Sequence, residues 1–128
     1  MNNPNLAVKQ RLEEASAAGD WDAAAALLDP HFVLHEPPAF PYGGAFRGIG
    51  GLRAYLPAAR AYLHRDTLQA VRAYVSDDAD QVTFQMRFKG KVIATGAPVD
   101  STIMEVIEFR SRRLLSVRPH WFAPPLWR

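Results

Sequence analysis

A carboxylate stands in the second half of the chain where alternation predicts an apolar side chain. Residues 99–109 alternate in polarity as a β-strand does, and Glu105 falls on the side that carries Ile103 and Ile107. If that side faces the interior, burial favours the neutral carboxyl and raises its pKa. Two interpretations stay open: a buried glutamate paired with an arginine, or a neutral acid that donates a hydrogen bond inside a pocket.

Glu36 has the same character at the end of a shorter predicted strand. It follows Leu34 by two residues and Phe32 by four, so the three side chains share one side of that strand. Pro37 comes next, which places the carboxyl at a rigid strand terminus beside a loop, where a ligand can reach it. One interpretation is a rim carboxylate bound by loop amides. The other makes Glu36 and Glu105 an acid/base pair, with one group ionised and the other neutral.

The histidines do not form a metal site in this pattern. His31 and His35 are four residues apart on a strand, a rise of about 13 Å, which is too far for one shared ion. His64 is expected at a helix C-terminus, where contact with the helix dipole accounts for it. His120 is expected on the polar outer side of the last strand. Neither a metal nor a cofactor is predicted.

Periodicity predicts the elements that position these groups. In the first helix Val8 and Leu12 form the buried stripe, and Lys9 lies on the polar side. The loop PPAFPYGGAFRG is too apolar to sit in water, so its aromatic residues are expected to fold over the site. The predicted order is helices at 5–18 and 21–28, a strand at 31–36, a helix at 49–63, strands at 68–75 and 82–88, a turn at 89–91, and strands at 91–95, 99–109 and 114–122. This order predicts an α+β fold.

Composition and charge exclude several classes of protein. The chain has 128 residues, of which 48% are apolar, and this suits one domain with a buried core. It has no cysteine, which excludes disulfides, thiolate metal sites and cysteine nucleophiles. A net charge of +2 is too small for a dedicated nucleic-acid binder. No apolar run approaches the roughly 20 residues of a membrane span, and MNNPN lacks a signal-peptide pattern. A cytoplasmic protein without nucleic-acid or membrane partners is expected.

Longer segments of the chain resemble a known superfamily. The segments are AAGDWDAAAALLDP, FVLHEPP, PYGGAFRG followed by GLRAYL, and EVIEFRSRRLLSVRPHWF. They are similar to the nuclear transport factor 2-like superfamily, especially its SnoaL-like and ketosteroid-isomerase-like members. The resemblance treats residues 1–128 as one domain. It implies a cone-shaped α+β barrel, in which a curved antiparallel sheet packs on N-terminal helices around an apolar pocket, and a homodimer formed through the sheet.

The resemblance also implies roles for individual residues. Glu36 matches the catalytic base of ketosteroid isomerases, and Glu105 matches the protonated acid of their oxyanion hole. The oxyanion-hole tyrosine of that family falls on Leu12, so Tyr42 or Tyr55 is a candidate replacement hydroxyl. The substrate-binding residues implied are Tyr42, Tyr55, Phe84, Met86, Val117 and Trp121.

The predicted function is acid/base chemistry next to a carbonyl without a cofactor, as in an isomerase or a polyketide cyclase. The base Glu36 would be ionised, and Glu105 would be the neutral donor. Because this superfold also hosts proteins without catalytic activity, the alternative is a protein that only binds an apolar small molecule.

Overall fold

The computed structural model describes residues 3–128 of the chain. They contain three helices and six strands, joined by turns and loops. The helices are α1 (Pro4–Ala17), α2 (Trp21–Ala26) and α3 (Gly48–Arg60). The strands are β1 (Leu28–Glu36), β2 (Gly44–Arg47), β3 (Leu63–Val75), β4 (Gln81–Val92), β5 (Pro98–Arg110) and β6 (Arg113–Trp121). The curved, open six-stranded sheet packs against the N-terminal helices, which confirms the predicted α+β class. Among these residues no helix is both long and apolar enough to cross a membrane.

The helical hairpin that opens the chain forms as predicted. Asn3 caps α1 by accepting the Asn5 backbone N–H at 2.7 Å, and Asp20 caps α2 by accepting the Ala23 N–H at 3.1 Å. Each cap satisfies an N–H that lacks a partner within its own helix. Gly19 lies between the helices with φ at 70°, a left-handed conformation that favours glycine.

The sheet has the order β2-β1-β6-β5-β4-β3. All neighbouring pairs are antiparallel except β1 and β6, which run parallel and pair Leu34 with Val117. The expectation of an antiparallel sheet is therefore wrong for this pair. The last strand, β6, inserts between β1 and β5. The first and last strands of the chain are therefore neighbours inside the sheet.

Alternating residues of four strands form the core on the inner side of the sheet. Phe32 and Ile107 are 2% and 1% exposed, so their full apolar surface contributes to stability, about 1.5–3 kcal/mol for each side chain. The residues of β4 predicted to share one face are all buried there: Val82, Phe84, Met86 and Phe88.

Strand β1 begins three residues earlier than predicted, at Leu28. Pro30 is tolerated because it falls in the irregular stretch between the paired residues Leu28 and Val33, where no regular ladder bond is needed. Asp29 is buried and bound by both Arg110 Nε at 2.9 Å and Arg110 Nη2 at 2.7 Å. These bonds lower the pKa of Asp29 to about 2, because they favour its charged form.

Strand β4 continues through the position where a turn was predicted. Gly90 lies within β4 and pairs with Val99, so the predicted turn at 89–91 and strand at 91–95 are wrong. The chain turns at 93–97 instead. A Cβ atom on Gly90 would lie 2.0 Å from the His64 carbonyl oxygen. Glycine is thus required for a close approach of two backbones and not for a turn.

His64 lies on β3, where it pairs with Lys91, and not at a helix C-terminus as predicted. Helix α3 ends at Arg60, and β3 begins at Leu63 rather than at residue 68. The His64 imidazole lies 3.1 Å from an Asp66 carboxyl oxygen, and both side chains are exposed.

We expect the substitution Gly90→Ala to lower the free energy of unfolding by about 1–3 kcal/mol, because the added methyl group displaces the β3 backbone. Gly50→Ala is the matched control, since its Cβ meets nothing within 4 Å and alanine favours the helix by up to about 1 kcal/mol. Urea unfolding of both variants measures the two effects. Equal stability of Gly90→Ala and the wild-type protein would contradict the close approach.

Candidate active site

Glu36 and Glu105 lie in one row across the inner face of the sheet. Glu105 pairs with Phe84 on one side and with Pro119 on the other. The parallel pairing of Leu34 with Val117 brings Glu36, two residues further on, level with Pro119. The two glutamates are therefore separated by two strand spacings, about 10 Å at the backbone. Alternation predicted the inner-face positions of both acids, and their role as an acid/base pair stays a prediction.

Glu36 is the more deeply buried of the two acids, with 5% of its surface exposed. Its pKa is raised to about 7. Burial is the main cause, a hydrogen bond from the Tyr55 hydroxyl opposes the rise, and the charge of Glu105 adds a smaller contribution. A carboxyl group that titrates near neutral pH can both take up and release a proton under physiological conditions. The interpretation as an exposed rim carboxylate does not fit this burial.

Two tyrosines lie near Glu36, and Tyr55 donates a hydrogen bond to it. The rings of Tyr42 and Tyr55 are 6.3 Å apart, and burial together with the charge of Glu36 raises the pKa of both phenols. Both hydroxyls therefore stay protonated at neutral pH. Tyr55 is held by α3, while Tyr42 comes from the loop after β1.

The partner of Glu105 is Lys9, and not the arginine considered from the sequence. Lys9 Nζ lies 3.7 Å from Glu105 Oε1, and 10% of the lysine side chain is exposed. The prediction that Lys9 lies on the polar side of the first helix is therefore wrong. Burial raises the pKa of Glu105, the positive charge of Lys9 opposes this, and the negative charge of Glu13 adds to it. Glu105 keeps 25% of its side chain exposed, so the acid is not sealed off.

Aromatic residues cover the end of the site near Glu36. Phe40 and Tyr42 are buried under Trp127, with ring centroids 5.1 and 5.7 Å from it. Phe40 also contacts Trp121 at 5.6 Å. The loop at 37–43 therefore folds over the site as its apolar composition predicts, and residues 44–47 of the predicted loop form β2.

Four of the predicted substrate-binding residues lie in or against the core, whereas Tyr42 and Tyr55 lie near Glu36. Phe84, Met86 and Val117 belong to the main core cluster. Trp121 is half-buried against that core, and its indole N–H has no hydrogen-bond partner among the described residues. Leu12, where the resemblance places the oxyanion-hole tyrosine of ketosteroid isomerases, is also a core residue.

The surface clefts of the described residues include two that contain neither glutamate. One has a volume of about 260 Å³ and is bordered by the turn before β4. The other, of about 580 Å³, lies outside the loop at 37–43 and against the C-terminal residues. Neither includes a predicted site residue, so the apolar pocket between the glutamates stays a prediction. The lining residues are Ser76, Asp78, Asp80, Gln81, Glu108 and Phe109 in the first cleft, and Ala39, Pro41, Pro125, Leu126, Trp127 and Arg128 in the second.

Sequence reasoning missed Lys9 and Trp127. Lys9 is four residues after buried Asn5 and three before Leu12, so helical spacing alone places it on the buried stripe. Because Lys9 is charged, it was predicted to lie on the polar side of the helix instead. Trp127 follows the last strand in an irregular segment, where no periodic pattern identifies a contact with the loop.

Comparison with known proteins identifies the family. Residues 8–117 match the SnoaL-like domain, and the chain belongs to that family. The uncharacterized protein YesE of Bacillus subtilis (strain 168) is 31% identical over 97 residues, which are 74% of this chain. The match spans 65% of that relative's length, slightly under two thirds.

Solved structures share the fold. A nuclear transport factor 2-like protein from Burkholderia xenovorans matches with a TM-score of 0.76 at 18% identity, covering 94% of this chain and 91% of the other. A hypothetical protein with a ketosteroid isomerase-like fold from Catenulispora acidiphila matches with a TM-score of 0.66 at 13% identity, covering 88% and 83%. The cone-shaped fold implied by the sequence resemblance is confirmed.

We expect Glu36→Gln to stabilise the protein above neutral pH and to leave its stability nearly unchanged at about pH 4. The pKa of Glu36 rises from 4.5 to about 7 on folding, so the folded state binds more protons between these values and wild-type stability falls as pH rises through them. Above about pH 7 the variant should exceed the wild type by about 3 kcal/mol. Urea unfolding at several pH values measures this difference.

The titration of Glu36 itself, followed by NMR of carboxyl-labelled glutamate, is the control. Tyr55→Phe should raise the pKa of Glu36 by removing a donor. An unshifted pKa for Glu36 in the wild-type protein would contradict its burial.

Proposed function

We propose that the protein is an enzyme that moves a proton on the carbon next to a carbonyl group, in an isomerase or cyclase-like reaction without a cofactor. The observation that carries this proposal is the row of two carboxyls on the inner face of the sheet, with Glu36 buried at a strand end beside Tyr55. Membership of the SnoaL-like family supports it.

Glu36 is the base in this mechanism. Its ionised carboxylate removes a proton from the carbon next to the carbonyl, the electron pair of the C–H bond moves into the enolate, and the negative charge develops on oxygen. The proton then returns from Glu36 to a carbon atom of the enolate. Since the pKa of Glu36 is about 7, the ionised and protonated forms are both accessible at neutral pH, and the group can act in both steps.

Glu105 is the acid that stabilises the enolate oxygen. Burial favours its neutral form, and a neutral carboxyl donates a hydrogen bond where charge develops. The substrate-binding surface proposed for the apolar part of the ligand consists of Tyr42, Tyr55, Phe84, Met86, Val117 and Trp121. The loop at 37–43 excludes water from Glu36.

Exchange of the α-protons of 2-tetralone in D₂O, followed by NMR, tests the proposal without knowledge of the natural substrate. We expect the wild-type protein to accelerate exchange, Glu36→Gln to lower the rate by about 10²–10⁴-fold, and Glu105→Gln to lower it by about 10²–10³-fold. Arg87→Gln, which removes an exposed ion pair with Asp100, is the control for general effects of substitution.

Exchange rates that are equal in the wild type, Glu36→Gln and Glu105→Gln would rule out the enzyme and favour a protein that only binds an apolar small molecule. In that case the two acids would serve to orient the ligand.

We also propose a homodimer formed through the sheet. Strand β3 is a long edge strand that leaves every residue after Leu63 exposed, among them Val71 at 58% and Tyr74 at 45%. Long exposed edges with apolar residues are typically covered by a partner. Light scattering should return twice the monomer mass of 14.3 kDa, and Val71→Lys should shift the mass toward that of the monomer. A wild-type protein of monomer mass would exclude the dimer.

A further inference from the structure

The ammonium group of Lys9 lies inside the fold without a role in the mechanism described above. It projects from α1 to a position 4.4 Å from the centroid of the Phe84 ring and 3.7 Å from Glu105 Oε1. Only 10% of the lysine side chain is exposed. A buried cation is costly unless it is paired and hydrogen-bonded, so its partners decide what it can do.

The protein supplies Lys9 with one full partner. The carboxylate of Glu13, one turn further along α1 and 61% exposed, accepts a hydrogen bond from Lys9 on the solvent side. The 3.7 Å contact with Glu105 exceeds hydrogen-bond length, and the Phe84 ring face offers only a weaker attraction. An ammonium group has three N–H donors. Lys9 therefore keeps donor capacity on the side that faces Glu105.

Lys9 and Glu105 together suit a ligand oxygen. A carbonyl or phenol oxygen that lies beside both groups, about 2.8 Å from each, can accept hydrogen bonds from both when Glu105 is protonated. Because 25% of the Glu105 side chain is exposed, a ligand can reach it from solvent. Lys9 also lies three residues before Leu12 on the buried side of α1, so the helix turn that lacks a hydroxyl at Leu12 carries a cation instead.

We propose that Lys9 is a second donor to the ligand oxygen, beside Glu105, and that the site selects ligands whose oxygen carries or develops a negative charge, such as enolates and phenolates. The catalytic part of this inference rests on the proposed function, whereas the preference for an anionic oxygen does not. In the reaction the C–H electron pair moves to the enolate oxygen, Lys9 keeps its proton while donating a hydrogen bond, and Glu36 holds the transferred proton.

Binding of 4-nitrophenolate at about pH 8.5, followed by its absorbance, tests the proposal, with nitrobenzene as the neutral probe of similar size. We expect Lys9→Met to weaken 4-nitrophenolate binding by about 10- to 100-fold and to change nitrobenzene binding less than about twofold. Lys9→Arg should restore most of the affinity because it keeps the charge. Glu13→Gln, which removes only the outer partner of Lys9, should retain the preference for the anion.

Several results would overturn the role of Lys9. These are absence of 4-nitrophenolate binding by the wild-type protein, equal affinity of the wild type and Lys9→Met, and equal losses for the anionic and neutral probes. Lys9→Gln provides a second neutral variant if Lys9→Met does not fold. 2-Tetralone exchange separates this proposal from the proposed function. If Glu36→Gln loses exchange and Lys9→Met keeps it, the proposed function holds and Lys9 has no catalytic role. If the wild-type protein prefers the anionic probe but catalyses no exchange, Lys9 is a binding residue and the proposed function fails.

Discussion

Removal of two carboxyl groups from water is the constraint around which the inner face of the sheet is organised. A buried ionised carboxylate is costly, and the fold meets this cost differently at its two acids. Tyr55 donates to Glu36, and the ammonium of Lys9 lies near Glu105. Neither arrangement restores the ordinary pKa of the group. Burial therefore favours the neutral form of both acids more than it would be favoured in an exposed carboxyl.

Stability comes from elsewhere in the molecule. The packed rows of the sheet and the bidentate ion pair between Asp29 and Arg110 hold the ends of β1 and β5 together. In that pair the charged form is favoured, so the pKa of Asp29 is low while that of Glu36 is high. Two acidic residues of one strand, seven positions apart, thus differ: Asp29 is ionised and fastens the strand, whereas Glu36 is buried with a raised pKa.

Sequence reasoning predicted most of the elements and the inner-face positions of the two acids, because a two-residue period assigns each side chain to a face of the sheet. It misplaced Lys9, since a single charged residue beside a buried stripe is normally assigned to solvent, although helical spacing from Leu12 is compatible with the buried side that contacts Glu105. It misinterpreted Gly90, because glycine serves both turns and close backbone approach. Contacts between distant segments, such as that of Trp127 with Phe40, are not predicted by the periodicity of the sequence.

The parallel pairing of β1 with β6 has a consequence for the order in which the molecule assembles. Leu34 and Val117 are far apart along the chain, and closing so long a loop makes this pairing slow compared with the hairpins of β3, β4 and β5. During synthesis the ribosome releases β6 after all other strands. Glu36 gains its neighbour on β6 only when that strand inserts, so this part of its burial comes late in assembly.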